Sequence, residues 1–207
     1  MKKFTPYVVA SIAFALAITG AGIAWTGNAE AAADKSAAPA IGSAMPDFKM
    51  KDQDGNEHML AMHKGQIVVL EFSSQHCPFS KGTDPHIAEL ATQYKDKNVV
   101  VLGVDSHKST KPEDIKEHVA AAKIPFPVLK DEKNQYADQV GATKTPEIYI
   151  VDKEGKLAYH GAFDSRKGPE QKGEENYVAA ALDALIAGAK VAQTEVPAWG
   201  CGIQRAS

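Results

Sequence analysis

The apolar positions of this chain fall into two rhythms. Ile67-Val68-Val69-Leu70, continued by Phe72, and Val99-Val100-Val101-Leu102-Gly103-Val104 are continuous runs, not alternations. Such runs describe strands buried on both faces, in a sheet covered by helices on each side. Between them Ile87, Leu90, Ala91 and Tyr94 recur at helical spacing, which predicts an amphipathic helix over about 79–95. Thr110-Lys111-Pro112-Glu113 reads as a capping box with an early proline, opening a helix through Ile115, Val119 and Ala122. Upstream, the Asp54-Gly55 turn between Phe48-Lys49-Met50 and His58-Met59-Leu60 predicts a small hairpin. Downstream the pattern predicts a short strand over 127–129 and a short helix over 134–140. Strands over 148–151 and 157–160 then form a hairpin about the turn 152–155. A last helix over about 173–187 would turn Val178, Ala181, Leu182 and Leu185 inward and stop at Gly188. The order β-α-β-α, then β-β-α, places the chain in the α/β class, with a mixed sheet sandwiched between helices.

The N-terminus changes the picture. Met1-Lys2-Lys3, an apolar stretch from about Tyr7 to Trp25, and Asn28-Ala29-Glu30-Ala31 have the three parts of a secretory signal peptide. The competing possibility is an uncleaved anchor helix, because the apolar stretch approaches spanning length. Gly20, Gly22 and the Ala-x-Ala site favour removal, and no cysteine follows the apolar stretch to carry a lipid. The organisation expected is a signal peptide over 1–31 and a flexible leader over 32–44, rich in Ala, Ser, Gly and Pro. A single domain over 45–190 and a C-terminal tail over 191–207 follow. The expected protein is exported, periplasmic or secreted, and meets a membrane only if the first segment stays attached. The net charge of −3 becomes one unit more negative when Lys2, Lys3 and Glu30 are removed, which gives no electrostatic reason to bind nucleic acid. Two cysteines, Cys77 and Cys201, are too few for a disulfide-built scaffold, although an oxidising compartment permits a bridge.

Cys77 carries the first chemical signal. It lies between the strand ending near Phe72 and the helix beginning after Pro78. A cysteine there faces the unpaired N–H groups and positive dipole end of the helix, which stabilise its thiolate. This element order, a cysteine after the first core strand, and Thr145-Pro146 before the hairpin together resemble the thioredoxin fold. The resemblance implies a three-layer α/β/α sandwich with a mixed central sheet and a small N-terminal hairpin. It also implies that Pro146 is cis and helps hold a partner's backbone beside Cys77, with Thr145, Pro78 and Phe79 at the binding surface. Glu71, a charged residue inside an apolar strand, matches the buried acid of thioredoxins that exchanges protons with the second thiol. The alternative for Glu71 is a strand-end carboxylate that reaches solvent or pairs with a lysine.

Two departures matter. Thioredoxins carry Cys-x-x-Cys, whereas this chain reads Cys77-Pro78-Phe79-Ser80, and a hydroxyl cannot resolve a mixed disulfide. Peroxiredoxins carry a Pro-x-x-x-Thr/Ser-x-x-Cys pattern and an arginine that polarises the peroxide. Ser74 matches the hydroxyl position, Leu70 stands where the proline would be, and Lys144 lacks the planar donor set of arginine. The chain is most similar to an exported peroxiredoxin-like (redoxin) subfamily of the alkyl hydroperoxide reductase/thiol-specific antioxidant type. The motifs that carry this similarity include Gly141-Ala142-Thr143-Lys144-Thr145-Pro146-Glu147, Tyr159-His160-Gly161-Ala162-Phe163-Asp164, Asn176-Tyr177-Val178 and the terminal Gly200-Cys201-Gly202-Ile203. It makes Cys201 the candidate resolving thiol, on a tail long enough to reach Cys77. The alternative is a free or purely structural cysteine.

His76 could stabilise the Cys77 thiolate or point away from it, and His107 is expected to be a solvated loop residue. The function these residues imply is an exported thiol–disulfide oxidoreductase without a cofactor. Cys77 is its nucleophile, Cys201 resolves, Pro146 positions the partner, Glu71 moves the proton and Ser74 orients the substrate. Its partner would be a redox protein, a small thiol or disulfide, or a hydroperoxide. Three alternatives stay open: a hydroperoxide-reducing antioxidant enzyme, a non-enzymatic copper-binding chaperone holding Cu(I) on the same cysteines with His76 or His160, and a catalytically silent module that holds redox partners.

Overall fold

The computed structural model describes Met1 and residues 37–206. The expected signal peptide, beyond Met1, lies outside the described residues. The hairpin forms from β1 (Lys49–Asp52) and β2 (Glu57–Met59), with Asp52 accepting N–H donors from Asp54 and Asn56 to hold the turn. The core strands follow as β3 (Ile67–Ser73), β4 (Val99–Asp105) and β5 (Val128–Lys130), then β6 (Lys144–Thr145), β7 (Glu147–Val151) and β8 (Leu157–Gly161). Helices α1 (Pro78–Tyr94), α2 (Pro112–Ala122), α3 (Gln135–Gln139) and α4 (Tyr177–Ile186) connect or follow them. Two further strands, β9 (Glu195–Val196) and β10 (Cys201–Gly202), come from the C-terminal segment.

Among the described residues the main sheet has eight strands in the order β2-β1-β5-β4-β3-β7-β8-β9. β3 pairs with β4 in parallel and with β7 antiparallel, so it lies at the centre of a mixed sheet. Val68, Leu70 and Phe72 point to one layer, with Tyr136 and Ala137 of α3. Ile67 and Val69 point to the other, with Ile87 and Leu90 of α1, Ile115 of α2 and Leu182 of α4. Both faces of β3 are therefore buried, which is what its unbroken apolar run encodes. The result is the three-layer sandwich with a mixed central sheet and an N-terminal hairpin that the sequence implies.

Several local expectations shift. The capping interaction of α2 sits one residue later than expected: Lys111 is the N-cap, and its N–H donates to Asp114 Oδ2 at 2.9 Å. Thr110 and Glu113 do not form the box, because the proline at N1 fixes the helix start at 112. α4 begins at Tyr177 and not near 173, because Asn176 caps it by accepting the Ala179 N–H at 2.9 Å. α1 continues through Pro85, which has no N–H to return to the Lys81 carbonyl. Residues 42–45 of the expected leader and domain start run beside β8: Gly42 N–H donates to Leu157 O at 2.7 Å, and Leu157 N–H returns a bond to Ser43 O. The C-terminal segment also joins the sheets, with β9 parallel to β8 and β10 antiparallel to β6. No helix among the described residues is long and apolar enough to cross a membrane.

Candidate active site

Cys77 is the N-cap residue of α1, with extended backbone angles, and Pro78 occupies the first helical position. Its carbonyl accepts the Lys81 N–H, while its own N–H donates to Ser74 O at 2.9 Å, closing a tight turn between β3 and α1. Ser74 organises that turn: its Oγ accepts the His76 N–H, and its N–H donates to Ser80 Oγ, both at 3.2 Å. Ser80 stands where a local second cysteine would be; buried, it serves as an acceptor for the loop. The Cys77 sulfur thus sits at the positive end of a 17-residue helix, where a thiolate is favoured.

Cys77 and Cys201 form a disulfide across 124 positions, with Cα atoms 5.9 Å apart. The Thr145–Pro146 peptide is cis, as the resemblance implies. Thr145 O lies 3.0 Å from Cys77 Sγ, and Thr145 is the register partner of Cys201 in the β6–β10 pair. Cys77 is 2 % exposed, whereas Cys201 is half-buried, so Cys201 is the more accessible cysteine of the pair. A recess of about 100 Å³ opens beside the bridge, lined by Ser74, His76, Cys77, His107, Thr145 and residues 201–204. Pro78 is exposed but does not line the recess, and Phe79 packs on Trp199, ring centroids 5.5 Å apart.

His107 departs from the expected solvated loop position. The parallel pairing of Ser73 with Asp105 brings the two following loops together, and the His76 and His107 rings lie 4.5 Å apart at the recess. Asp105 accepts the His107 N–H, and Lys130 Nζ donates to the His107 carbonyl at 2.7 Å, so the loop is held from below. Burial first, and then the neighbouring His76, lower the pKa of the His107 imidazole and favour its neutral form.

Glu71 lies on the face of β3 shared by Ile67 and Val69, the layer that holds α1. It is buried and does not reach solvent, and its Oε1 has no hydrogen-bond partner among the described residues. Burial raises its pKa well above the ordinary carboxylate value; the Asp84 carboxylate adds to the rise and the Arg166 guanidinium opposes it. Asp84, also buried, is paired with His118 of α2 at 3.0 Å. Glu147, next to the cis proline, accepts the N–H groups of Thr143 and Lys144, each at 2.7 Å, and pairs with His160 at 2.6 Å. It therefore braces the loop that carries Thr145 and Pro146. His160 is engaged there, away from the recess.

Arg166 is another residue the sequence did not single out. Fully buried, it pairs with both oxygens of Asp164 at 2.8 Å and donates to Gly82 O in α1. Its guanidinium lies 5.0 Å from the Trp199 ring centre, and Trp199 Nε1 donates to Asp164 O at 2.8 Å. The tail is thereby stacked on Phe79 and Arg166 immediately before it enters the site. Beyond the bridge, Ile203 N–H donates to Thr143 O, Lys108 N–H to Gln204 O, and Arg205 Nε to Asp138 Oδ1 at 2.6 Å. Asp138 and its partner Arg205 lie far apart in sequence, and the contacts of Arg166 with Gly82 and Trp199 are equally non-local, so neither leaves a periodicity to read. The only advance signal was the Phe163-Asp164 end of a resemblance motif.

Residues 41–160 match the model of the AhpC/TSA family. A thiol-disulfide oxidoreductase ResA of Geobacillus thermodenitrificans (strain NG80-2) is 27% identical over 157 residues, 76% of this chain and 87% of that protein. The chloroplastic peroxiredoxin Q of Triticum aestivum is 30% identical over 149 residues, 63% of this chain and 61% of that protein. Among solved structures, a hypothetical protein of Sinorhizobium meliloti 1021 superposes with a TM-score of 0.76 at 30% identity, covering 82% of this chain and 97% of that one. With the family model spanning more than half of the sequence and the α/β sandwich present, the chain belongs to the AhpC/TSA family.

Proposed function

We propose that this protein is an exported thiol–disulfide oxidoreductase in which Cys77 attacks and Cys201 resolves. The observation that carries this reading is the Cys77–Cys201 bridge at the N-terminus of α1, facing the cis Thr145–Pro146 loop. In the reduced protein the Cys77 thiolate attacks a partner disulfide, forming a mixed disulfide and releasing the partner's other sulfur as a thiolate. The Cys201 thiolate then attacks the Cys77 sulfur, closing the internal bridge and releasing the second partner thiolate. Glu71, held protonated more readily than a surface acid, exchanges protons with the thiols of this cycle, and Ser74 shapes the turn that presents Cys77. An external thiol restores the dithiol in two steps. It attacks Cys201, the less buried cysteine, with Cys77 leaving as the helix-stabilised thiolate. A second thiol then attacks that mixed disulfide, releasing Cys201 and leaving as the external disulfide. The names of the ResA relatives support this reaction type. The basic, apolar and Ala-x-Ala segments at the N-terminus support export.

Peroxide reduction is the second reading, favoured by the peroxiredoxin relative. The chain's two arginines count against it. Arg166 is committed to Asp164 and Gly82, Arg205 to Asp138 and Ala142, and neither lines the recess at Cys77. Reduction of insulin or a small disulfide by the mature protein tests the choice. Cys77→Ser abolishes it, while Cys201→Ser traps a mixed disulfide on Cys77. Thiol-dependent peroxide loss above buffer, with no disulfide reduction, would overturn the primary reading.

A further inference from the structure

The edge beside the cis proline is occupied by the protein's own tail, and the approach is closest at Gly200. Cys201 pairs with Thr145 and Gly202 with Lys144. The Thr145 carbonyl oxygen faces Cys77 Sγ at 3.0 Å, and on the tail side it abuts the backbone of Gly200. A Cβ at position 200 would overlap that carbonyl and lie 3.2 Å from Pro146 Cδ. Gly200 also has φ +118°, a conformation L side chains rarely adopt. Two residues later the situation reverses: a Cβ on Gly202 would meet nothing within 4 Å, and its φ lies outside the glycine-favouring region. Two glycines flank the cysteine, and only one is required by space and backbone geometry.

We propose that Gly200 is the positioning residue of the resolving step. Without a side chain there, β10 lies flush on β6 and the Cys201 sulfur comes within bonding reach of Cys77. With a methyl group, the strand must lift from Thr145 and carry Cys201 with it. The affected step is the attack of the Cys201 thiolate on the Cys77 sulfur of a mixed disulfide. An S–S bond forms between Cys77 and Cys201, the bond from Cys77 to the partner sulfur breaks, and the partner leaves as a thiolate that takes a proton from water. The first attack, by Cys77 on the partner, makes no use of Gly200. This inference rests on the proposed thiol–disulfide cycle.

The test reacts reduced mature wild type, Gly200→Ala and Gly202→Ala with glutathione disulfide, quenches by alkylation over time, and counts species by mass spectrometry. In wild type and Gly202→Ala, the Cys77–glutathione adduct should pass rapidly to the internal bridge. In Gly200→Ala the adduct should accumulate, with closure slowed by about tenfold to hundredfold, the scale on which ~1 Å of misplacement costs rate. Its formation should run at the wild-type rate. Closure of Gly200→Ala at the wild-type rate overturns the inference. So does adduct formation in Gly200→Ala that is slowed as much as closure, which would make Gly200 a residue of the fold and not of the resolving step. If wild-type Cys77 forms no adduct, the oxidoreductase reading fails instead. Bridge formation with diamide in the same variants then decides Gly200 separately: slower closure in Gly200→Ala upholds its role, and equal closure overturns it.

Discussion

Glu71 and Glu147 occupy neighbouring strands at the site and titrate in opposite directions. For Glu147, burial is the largest influence and pushes the pKa up. The hydrogen bonds from His160, Thr143 and Lys144 together outweigh it and hold the group below its ordinary value. Glu71 has burial and the Asp84 charge against it and only the Arg166 charge in its favour, so its pKa rises. The folded protein therefore keeps a proton on Glu71 that the unfolded chain releases above pH 4.5, the group's ordinary value. Its stabilising contribution is complete below that pH and drains away as pH rises through the folded pKa. Glu71→Gln, which cannot ionise, should gain stability relative to wild type as pH rises from 4.5 toward alkaline values. Urea midpoints at stepped pH check this, and parallel profiles for the two proteins would refute it. Glu71 was legible in the sequence because a lone charge inside an apolar run is conspicuous. His107 was not, because its place at the site comes from two loops brought together only by the sheet, and neither was Arg166, whose contacts with Gly82 and Trp199 join distant parts of the chain.

At the scale of elements, apolar pattern and local chemistry divide the work. The continuous runs of β3 and β4 and the helical stripe of α1 were readable because each element supplies its own pattern of burial. β6, β9 and β10 have two residues each, too few for any periodicity, and exist only because a partner strand pairs with them. Helix ends were misplaced where two candidate caps compete. Gly173, Glu174 and Glu175 suit a helical first turn, yet Asn176 supplies the oxygen that meets the Ala179 N–H. Asn176→Ala should cost about 1 kcal/mol of stability, the usual value of such a cap. Because α4 packs Val178, Ala181 and Leu182 into the layer beneath the sheet, the loss should appear in the global denaturation midpoint. A change confined to local exchange of the first α4 amides would refute that coupling.

Across the whole molecule, the C-terminal segment begins beside β8, stacks on α1, pairs with β6 and ends against α3. It crosses the mouth of the candidate site and ties together parts of the chain distant in sequence. The sandwich itself could be foreseen from the order of elements. The course of the tail could not, because its fastenings are a stacked tryptophan, single backbone bonds and one arginine pair, none with a sequence rhythm. The one covalent fastening should matter to stability: by loop-closure entropy, a bridge spanning 124 positions contributes about 2–5 kcal/mol, lost on reduction.

Trp199 also makes that fastening visible. It and Trp25 are the chain's two tryptophans, and Trp25 falls within the segment expected to be cleaved on export. The mature protein would then carry a single indole, held between Phe79 and Arg166 two residues from the reactive bridge. Reduction that loosens the tail should move its fluorescence emission to longer wavelength, reporting the redox state optically without any added label.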